Sequence, residues 1–183
     1  MTSLLPFNAG DLLDCNAINL DVLTENYDIS FYLEYMYYWP DLLFKSVSRT
    51  RNVGYMIGKS EGAGLEWHSH ITAVTVDMEY RRLGLGRVLV DLLKLASEAP
   101  DQNCYFMDLY VRTSNRIAVD MYKLFGFAPF RRVVGYYGQG RDQDAFDMRM
   151  PLKRDPHRKS LIKGPHTYES SQNRYKYDKK SLS

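Results

Sequence analysis

The chain has 183 residues, of which 45% are hydrophobic, and a formal net charge of +2, which suits one globular domain with a sizeable core. The charge is unevenly distributed, because residues 1–150 carry a net −4 and residues 151–183 a net +6. Its two cysteines lack metal-ligand spacing, and we find neither a signal peptide nor a long apolar run. These features argue against a disulfide scaffold, a metal-binding protein and a membrane protein, and we expect a reduced cytoplasmic protein.

The N-terminal segment is acidic and then aromatic. Residues 1–44 contain seven carboxylates and no Lys or Arg. Asp11 is a candidate N-cap for a short helix ending between residues 16 and 19, and Ser30 for a second helix. The body of that second helix, residues 31–39, is apolar or aromatic on nearly all sides and stops at Pro40. We therefore expect the first two helices to dock on a partner.

Strand patterns follow the second helix. Residues 42–48 and 53–59 are predicted to form a hairpin. Residues 67–76 then alternate, and a regular strand puts the even-numbered positions on one face. Those positions are His68, His70, Thr72, Val74 and Val76.

The strand leads through a basic glycine turn into an amphipathic helix that ends before Pro100. Arg81, Arg82 and Arg87 supply positive charge, and Gly84 and Gly86 let backbone N–H groups approach an anion. The intervening Leu83 and Leu85 belong to the same turn. The turn lacks the glycine pattern of a dinucleotide-binding loop and the Lys-Ser/Thr ending of a P-loop. It therefore predicts a phosphate-rich ligand of another kind.

A strand over residues 105–111 is followed by a helix with Ser114 as its candidate cap and Gly126 as its C-terminal stop. Asn115 and Tyr122 are seven residues apart on it and project from nearly the same face. Taken alone they would suggest a helix cap and a core tyrosine, but beside the glycine turn a functional role is favoured. Residues 127–137 and 145–150 complete a last hairpin. The order of elements predicts an α+β fold with a mixed sheet.

Arg81, Gly84 and Gly86 match the Arg/Gln-x-x-Gly-x-Gly/Ala signature of the GCN5-related N-acetyltransferase (GNAT) superfamily, which the chain resembles. The resemblance implies the GNAT fold over residues 1–152, with acetyl-CoA as co-substrate and its pyrophosphate on the backbone amides of the turn. It also implies that Val74 and Val76 contact the pantetheine arm. Tyr122 would lie by the thioester sulfur as a candidate acid, and Asn115 would position the pantetheine or the substrate.

Longer stretches narrow the resemblance to the catalytic subunits of N-terminal acetyltransferase B (NatB) complexes. The matching residues are 19–27, 31–32, 39–40, 67–73, 81–86, 108–112, 115, 121–123, 135–137 and 144–149, and agreement runs from about residue 4 to about residue 165. This resemblance implies acetylation of nascent chains that begin Met-Asp, Met-Glu, Met-Asn or Met-Gln. It also implies a large helical-repeat auxiliary subunit and, through that partner, association with the ribosome.

The same resemblance assigns the peptide half of the site. Glu25, Asn26 and Tyr27 would form a loop over the substrate N-terminus, with Tyr136 and Tyr137 on the opposite side of the peptide. His70 and Thr72 would contact the second residue of the substrate, although an ordinary strand face would also place a satisfied histidine there.

Several alternatives stay open. The chain could acetylate lysine side chains or small amines, or it could bind acyl-CoA without catalysis. The general base could be a water molecule or a group such as His70. Residues 153–183 are predicted to be a basic tail that is flexible or ordered by a partner. That tail could contact nucleic acid or only aid solubility, and the role of residues 166–183 is open.

Overall fold

The computed structural model describes residues 2–14, 18, 27–138 and 143–162, and it contains one seven-stranded sheet in the order β1-β2-β3-β4-β5-β7-β6. The strands are β1 (Thr2–Pro6), β2 (Leu43–Ser48), β3 (Arg51–Glu61), β4 (His68–Val76), β5 (Phe106–Arg112), β6 (Ala128–Val133) and β7 (Ala145–Pro151). The α-helices are α1 (Asp11–Asp14), α2 (Ile29–Tyr38), α3 (Leu85–Ser97) and α4 (Arg116–Phe125). Short 3-10 turns span Pro40–Leu42, Gly64–Glu66, Met78–Tyr80 and Lys159–Leu161.

The sheet is mixed, which confirms the predicted fold class. β4 and β5 run parallel and are joined by the crossover helix α3, whereas every other neighbouring pair is antiparallel. β7 inserts between β5 and β6 and pairs with both of them. Both predicted hairpins, β2–β3 and β6–β7, are confirmed.

Helix α3 packs its apolar face, including Leu89, Val90 and Leu93, on the centre of the sheet. A Cβ atom at Gly58 of β3 would lie 2.9 Å from Leu93 Cδ1 and 3.2 Å from the Leu42 carbonyl oxygen. Only glycine therefore allows the helix to approach this closely. Because α3 is held so firmly, its N-terminus is fixed at the end of β4.

Several local predictions were wrong. No strand was expected before residue 42, yet β1 pairs along β2. Asp11 is the first residue of α1 rather than its cap, and its carboxylate accepts from the Asn8 N–H at 2.8 Å and pairs with Lys45. Asp28, not Ser30, occupies the N-cap position of α2, and it makes no side-chain capping bond.

The segment after β7 packs on the body. Asp155 is buried and accepts the backbone N–H groups of Lys159 and Ser160 at 2.8 and 2.9 Å, and Arg149 donates to the Ser160 carbonyl at 3.3 Å. The packed structure thus continues beyond the predicted boundary at residue 152 to Ile162. Residues 163–183 lie outside the described residues, so their flexibility stays a prediction. Within the described part of the chain, no helix has the length and apolar character needed to cross a membrane.

Candidate functional site

The glycine turn joins β4 to α3 through the Met78–Tyr80 turn. Asp77 caps that turn by accepting the Glu79 N–H at 2.9 Å, and it also pairs with Arg51 of β3. Gly84 then occupies the N-cap position of α3 with φ 84°, a left-handed conformation that favours glycine. The first backbone N–H groups of a helix have no intrahelical acceptor, so those at the start of α3 are hydrogen-bond donors open to solvent.

The three arginines of the turn are held differently. Arg81 donates from Nε to the Val76 carbonyl at 2.9 Å and so ties the turn to the end of β4. Arg87 pairs with Asp91 at 2.9 Å, donates to the Leu124 carbonyl at 3.3 Å and lies over the Phe125 ring. Arg82 is exposed and forms no hydrogen bond or ion pair with the described residues, so its charge is open to solvent.

A cleft opens where β4 and β5 separate. The ladder between them covers four positions, from the His68–Phe106 pair to the Ile71–Leu109 pair, after which each strand continues against its other neighbour. Val74 and Val76 are half-buried on the β4 side of the cleft. The Val76 carbonyl already accepts from Arg81, so one main-chain group predicted for the pantetheine arm is engaged.

A bulge interrupts β4 beside this cleft. Ile57 pairs with Ala73 while the next residue, Gly58, pairs with Ile71, so Thr72 is an extra residue on β4. The uninterrupted alternation predicted over residues 67–76 was therefore wrong. The Thr72 hydroxyl donates to the Tyr35 hydroxyl oxygen of α2 at 3.1 Å. This contact ties α2 to the strand at the edge of the cleft.

Behind the cleft lies a cluster of ionisable groups that we call the histidine–carboxylate cluster, formed by Lys59, Glu61, His68, His70 and Asp108. Asp108 is fully buried, and its Oδ1 lies 2.7 Å from His70 Nδ1. His68 Nε2 lies 3.5 Å from Asp108 Oδ2 and 3.6 Å from Glu61 Oε1, and Lys59 pairs with Glu61 at 3.1 Å. Each strand from β3 to β5 contributes to one connected row.

Burial and charge oppose each other in this cluster. Burial alone would raise the pKa of Asp108, but the neighbouring His70 and His68 outweigh it and hold that pKa well below its usual range. Burial would lower the pKa of His68, yet Asp108 and Glu61 outweigh it and the pKa is raised. The neighbouring His68 ring, and after it Lys59, lower the pKa of Glu61 to about 2. The cluster therefore favours charged groups despite its burial.

An aromatic wall, made of Tyr110, Tyr136 and Tyr137, continues from His70 along the cleft. The Tyr110 ring lies 5.5 Å from the His70 ring and stacks on Tyr136 at 4.5 Å between centroids. Tyr137 donates its hydroxyl to the Tyr110 carbonyl at 3.3 Å, and the Arg112 guanidinium lies 3.9 Å from the centre of its ring. The two tyrosines predicted for the substrate side are thus brought together with His70.

Helix α4 holds the two residues predicted to serve the thioester. Asn115, rather than Ser114, is its N-cap, and Asn115 Oδ1 accepts the Ala118 N–H at 3.1 Å. Tyr122 is buried between Phe125 and Phe127, and its hydroxyl has no hydrogen-bond partner among the described residues. Burial, with a further contribution from Tyr137, raises the pKa of Tyr122, so the hydroxyl stays protonated at neutral pH.

The predicted loop over the substrate is only partly described. Glu25 and Asn26 lie outside the described residues. Tyr27 is exposed and stacks on Phe31 of α2, with the two ring centroids 4.1 Å apart. The described part of this loop therefore rests on the aromatic face of α2.

Three residues of the site were given no role from the sequence. Asp108, Tyr110 and Arg112 lie in β5 and make the contacts that hold His70 and Tyr137. The available signal was Asp108 itself, because a carboxylate inside an otherwise apolar strand is unusual. That signal indicates a special position but cannot identify its partner.

Known proteins of one family are similar to this chain. Residues 14–127 match the acetyltransferase (GNAT) family. The chain is 46% identical over 176 residues to the N-terminal acetyltransferase B complex catalytic subunit naa20 of Schizosaccharomyces pombe, covering 93% of this chain and 97% of the relative.

Two solved structures are also similar. The Naa20 crystal structure from Chaetomium thermophilum, in complex with a bisubstrate analogue, is 38% identical with a TM-score of 0.80, and 89% of this chain and 93% of that chain are covered. A NatB acetyltransferase complex bound to CoA and MES is 44% identical with a TM-score of 0.74, and 82% of this chain and 99% of that chain are covered.

Proposed function

The chain belongs to the acetyltransferase (GNAT) family and, within it, to the catalytic subunits of N-terminal acetyltransferase B complexes, and from this premise we propose its reaction. It transfers acetyl from acetyl-CoA to the α-amino group of protein N-termini that begin Met-Asp, Met-Glu, Met-Asn or Met-Gln. One observation carries the proposal: a turn suited to anion binding and a wall of polar and aromatic side chains border the same cleft. One half suits a cofactor with phosphates and the other suits a peptide.

The residues of the turn fit coenzyme A. The unbonded N–H groups at the start of α3, the left-handed Gly84 and the exposed Arg82 form a cradle for a pyrophosphate. A Cβ at Gly86 would meet only Val76 Cγ2, at 3.9 Å, so packing does not require a glycine there, and its lack of a side chain suits a backbone that a ligand approaches closely. When bound, acetyl-CoA supplies an activated acetyl thioester.

The chain's own residues then position the amine and assist the departing thiolate. The substrate amine has a reference pKa of roughly 8, so a fraction of it is neutral at cellular pH and positioning is the main requirement. Tyr122 offers a protonated hydroxyl for a hydrogen bond to the developing thiolate. Since a raised pKa makes complete proton transfer less favourable, we assign Tyr122 chiefly the role of hydrogen-bond donor. Asn115 caps α4 and so orients the helix that carries Tyr122.

The second residue of the peptide meets His70 and Thr72. The Thr72 hydroxyl already donates to Tyr35, so it offers the substrate an acceptor, whereas His70 Nε2 makes no hydrogen bond to the described residues. We therefore assign His70 as the group that binds the side chain of this second residue, with Glu25, Asn26 and Tyr27 above the peptide and Tyr136 and Tyr137 beside it. The proton of the amine leaves to a water molecule, because His70 Nε2 is occupied by the substrate side chain.

A large helical-repeat auxiliary subunit is the proposed partner, and it would bring the chain to the ribosome in the cytoplasm. In support, α2 buries Tyr32 and Tyr35 but exposes four large apolar side chains: Ile29, Leu33, Tyr37 and Tyr38, which are between 47% and 78% exposed. An apolar helix face of this size is suited to burial by another protein.

The docking surface is tested by pull-down. Tyr37→Glu and Tyr38→Glu should weaken association with the auxiliary subunit, because each puts a charge on the exposed face. Tyr35 is unsuitable for this test, because it is 5% exposed and a charge there would disturb folding. Leu124→Glu, on the exposed face of α4, is the matched control. Equal recovery of the partner with all three variants would contradict the assignment.

The reaction is tested with peptides beginning Met-Asp and Met-Leu and with a blocked peptide that carries an internal lysine, each assayed with and without the auxiliary subunit. We expect acetylation of the Met-Asp peptide alone, and more of it with the partner. Preference for the lysine peptide would indicate a lysine acetyltransferase. Binding of acetyl-CoA without turnover in the complex would indicate a non-catalytic subunit.

A further inference from the structure

We propose that Asp108 is a positioning residue that lets His70 bind an acidic second residue of the substrate as an imidazolium. This rests on the proposed function, since it concerns how the same peptide site distinguishes carboxylate from amide side chains. It assigns a role to a buried carboxylate and to His68, neither of which touches the substrate.

The hydrogen-bonding partners of His68 fix its charge. Its Nδ1 lies 2.6 Å from the Glu66 carbonyl oxygen, which can only accept, so Nδ1 carries a proton. Its Nε2 faces two carboxylate oxygens, of Glu61 and of Asp108, and the ring is 2% exposed. Because both ring nitrogens face only acceptors, we infer that His68 is an imidazolium held between two carboxylates.

The orientation of His70 follows from Asp108. His70 Nδ1 lies 2.7 Å from Asp108 Oδ1 and therefore carries a proton, which leaves Nε2 for the substrate. With one proton, His70 can only accept at Nε2 and suits the amide NH₂ of Asn or Gln. A carboxylate also only accepts, so His70 needs a second proton, taken from solvent, to bind Asp or Glu.

The charges of the cluster favour the uptake of that second proton. Within the cluster, Lys59 pairs with Glu61 and the His68 imidazolium lies beside Asp108, so the formal charges of the five groups sum to zero while His70 is neutral. The adjoining Arg149 and Arg131 are matched by Asp147 and Glu66. An acidic side chain adds one negative charge, and protonation of His70 restores the balance in a site where an unbalanced charge is costly. Two further ionisable groups lie nearby. Tyr110 packs on His70, and Arg149 is the partner of Asp108 in the ladder between β5 and β7.

The test is Asp108→Asn in the complete complex with the auxiliary subunit. Asparagine keeps an oxygen to accept the Nδ1 proton but removes the negative charge, so His70 keeps its orientation and loses the support for its second proton. We expect the ratio of kcat/KM for a Met-Asp peptide to that for a Met-Asn peptide to fall roughly tenfold, mainly through the KM of the Met-Asp peptide. A wild-type ratio within error would overturn the proposal.

Asp11→Asn is the matched control. Asp11 is also buried, at the start of α1, and it pairs with Lys45 of β2, two strands away from β4. Its loss should lower stability without changing the ratio. If the ratio falls equally in both variants, the loss of any buried charge disturbs the site. That result would also overturn the proposal.

The activity of the wild-type complex separates a failure of this proposal from a failure of the proposed function. If wild type acetylates neither peptide but acetylates an internal lysine, it is the proposed function that fails.

Discussion

The two sides of the cleft are built in different ways. The glycine-turn side, from β4 to α3, offers mainly backbone N–H groups, fixed by one left-handed glycine and one helix end. The peptide side is assembled from side chains of three separate elements: His70 of β4, Tyr110 of β5, and Tyr136 and Tyr137 after β6. A phosphate can be held by a local backbone conformation, whereas a peptide side chain needs groups that meet only in the folded chain. The two sides should therefore respond differently to substitution.

The largest effect is expected between the two sides, at Tyr122. Tyr122→Phe removes the hydroxyl but keeps the ring in its apolar setting, so turnover should fall roughly hundredfold while the KM values for acetyl-CoA and for peptide change little. Steady-state kinetics of the complex measure this. Tyr105→Phe is the control, since the Tyr105 side chain is buried beside Arg154 and Asp155 rather than in the cleft, and its loss should affect stability alone. Unchanged turnover in Tyr122→Phe would remove it from the mechanism.

On the glycine-turn side, we expect Gly86→Ala to raise the KM for acetyl-CoA roughly tenfold without destabilising the protein, because alanine is favoured over glycine inside a helix. Gly84→Ala should instead lower the melting temperature, since a left-handed residue with a Cβ costs about 1–2 kcal/mol. Thermal melts and acetyl-CoA titrations separate the two variants. A raised peptide KM in Gly86→Ala would mean that the two sides are not independent.

On the peptide side, Tyr136→Leu should raise the KM for peptide several-fold and leave that for acetyl-CoA unchanged. The variant loses the stacking of Tyr136 on Tyr110, and an aromatic pair contributes about 0.5–1.5 kcal/mol beyond its buried area. Parallel titrations of both substrates measure the effect. Equal changes in both KM values would argue against an assignment of this wall to the peptide alone.

The smallest effect concerns the support behind the peptide side. The pKa of Glu61 is lowered to about 2 in the folded chain, so its contribution to stability is complete above the ordinary value near 4.5 and is lost as the pH falls towards 2. Glu61→Gln should therefore flatten the fall in melting temperature over that range. The change should be modest, since the Glu61 side chain is 44% exposed. An identical acid profile in both proteins would show that Glu61 does not contribute.

The sequence predicted the glycine-turn side well. Gly84 and Gly86, the arginines between strand and helix, and the apolar spacing of α3 are local features, and local features set the backbone conformation. The hairpins and the mixed sheet followed from the same kind of signal. The predictions that failed locally, at Ser30 and Ser114, are small displacements of a cap, because several neighbouring polar residues can serve as the N-cap.

The peptide side was predicted only as a set of residues taken from resemblance. No local pattern indicates that Asp108 meets His70, 38 positions earlier, or that Thr72 is an extra residue in β4 whose hydroxyl contacts Tyr35. Nor does a local pattern indicate that β7 inserts between β5 and β6, or that β1 joins the sheet.

The sequence by itself therefore determined the conformation of the glycine turn at Arg81 to Arg87, because nearby residues fix backbone conformation and helix ends. Only the tertiary structure decided which ionisable groups share the buried space behind the cleft. Their protonation depends on partners brought from other strands, and strand pairing is set by the packing of the whole sheet.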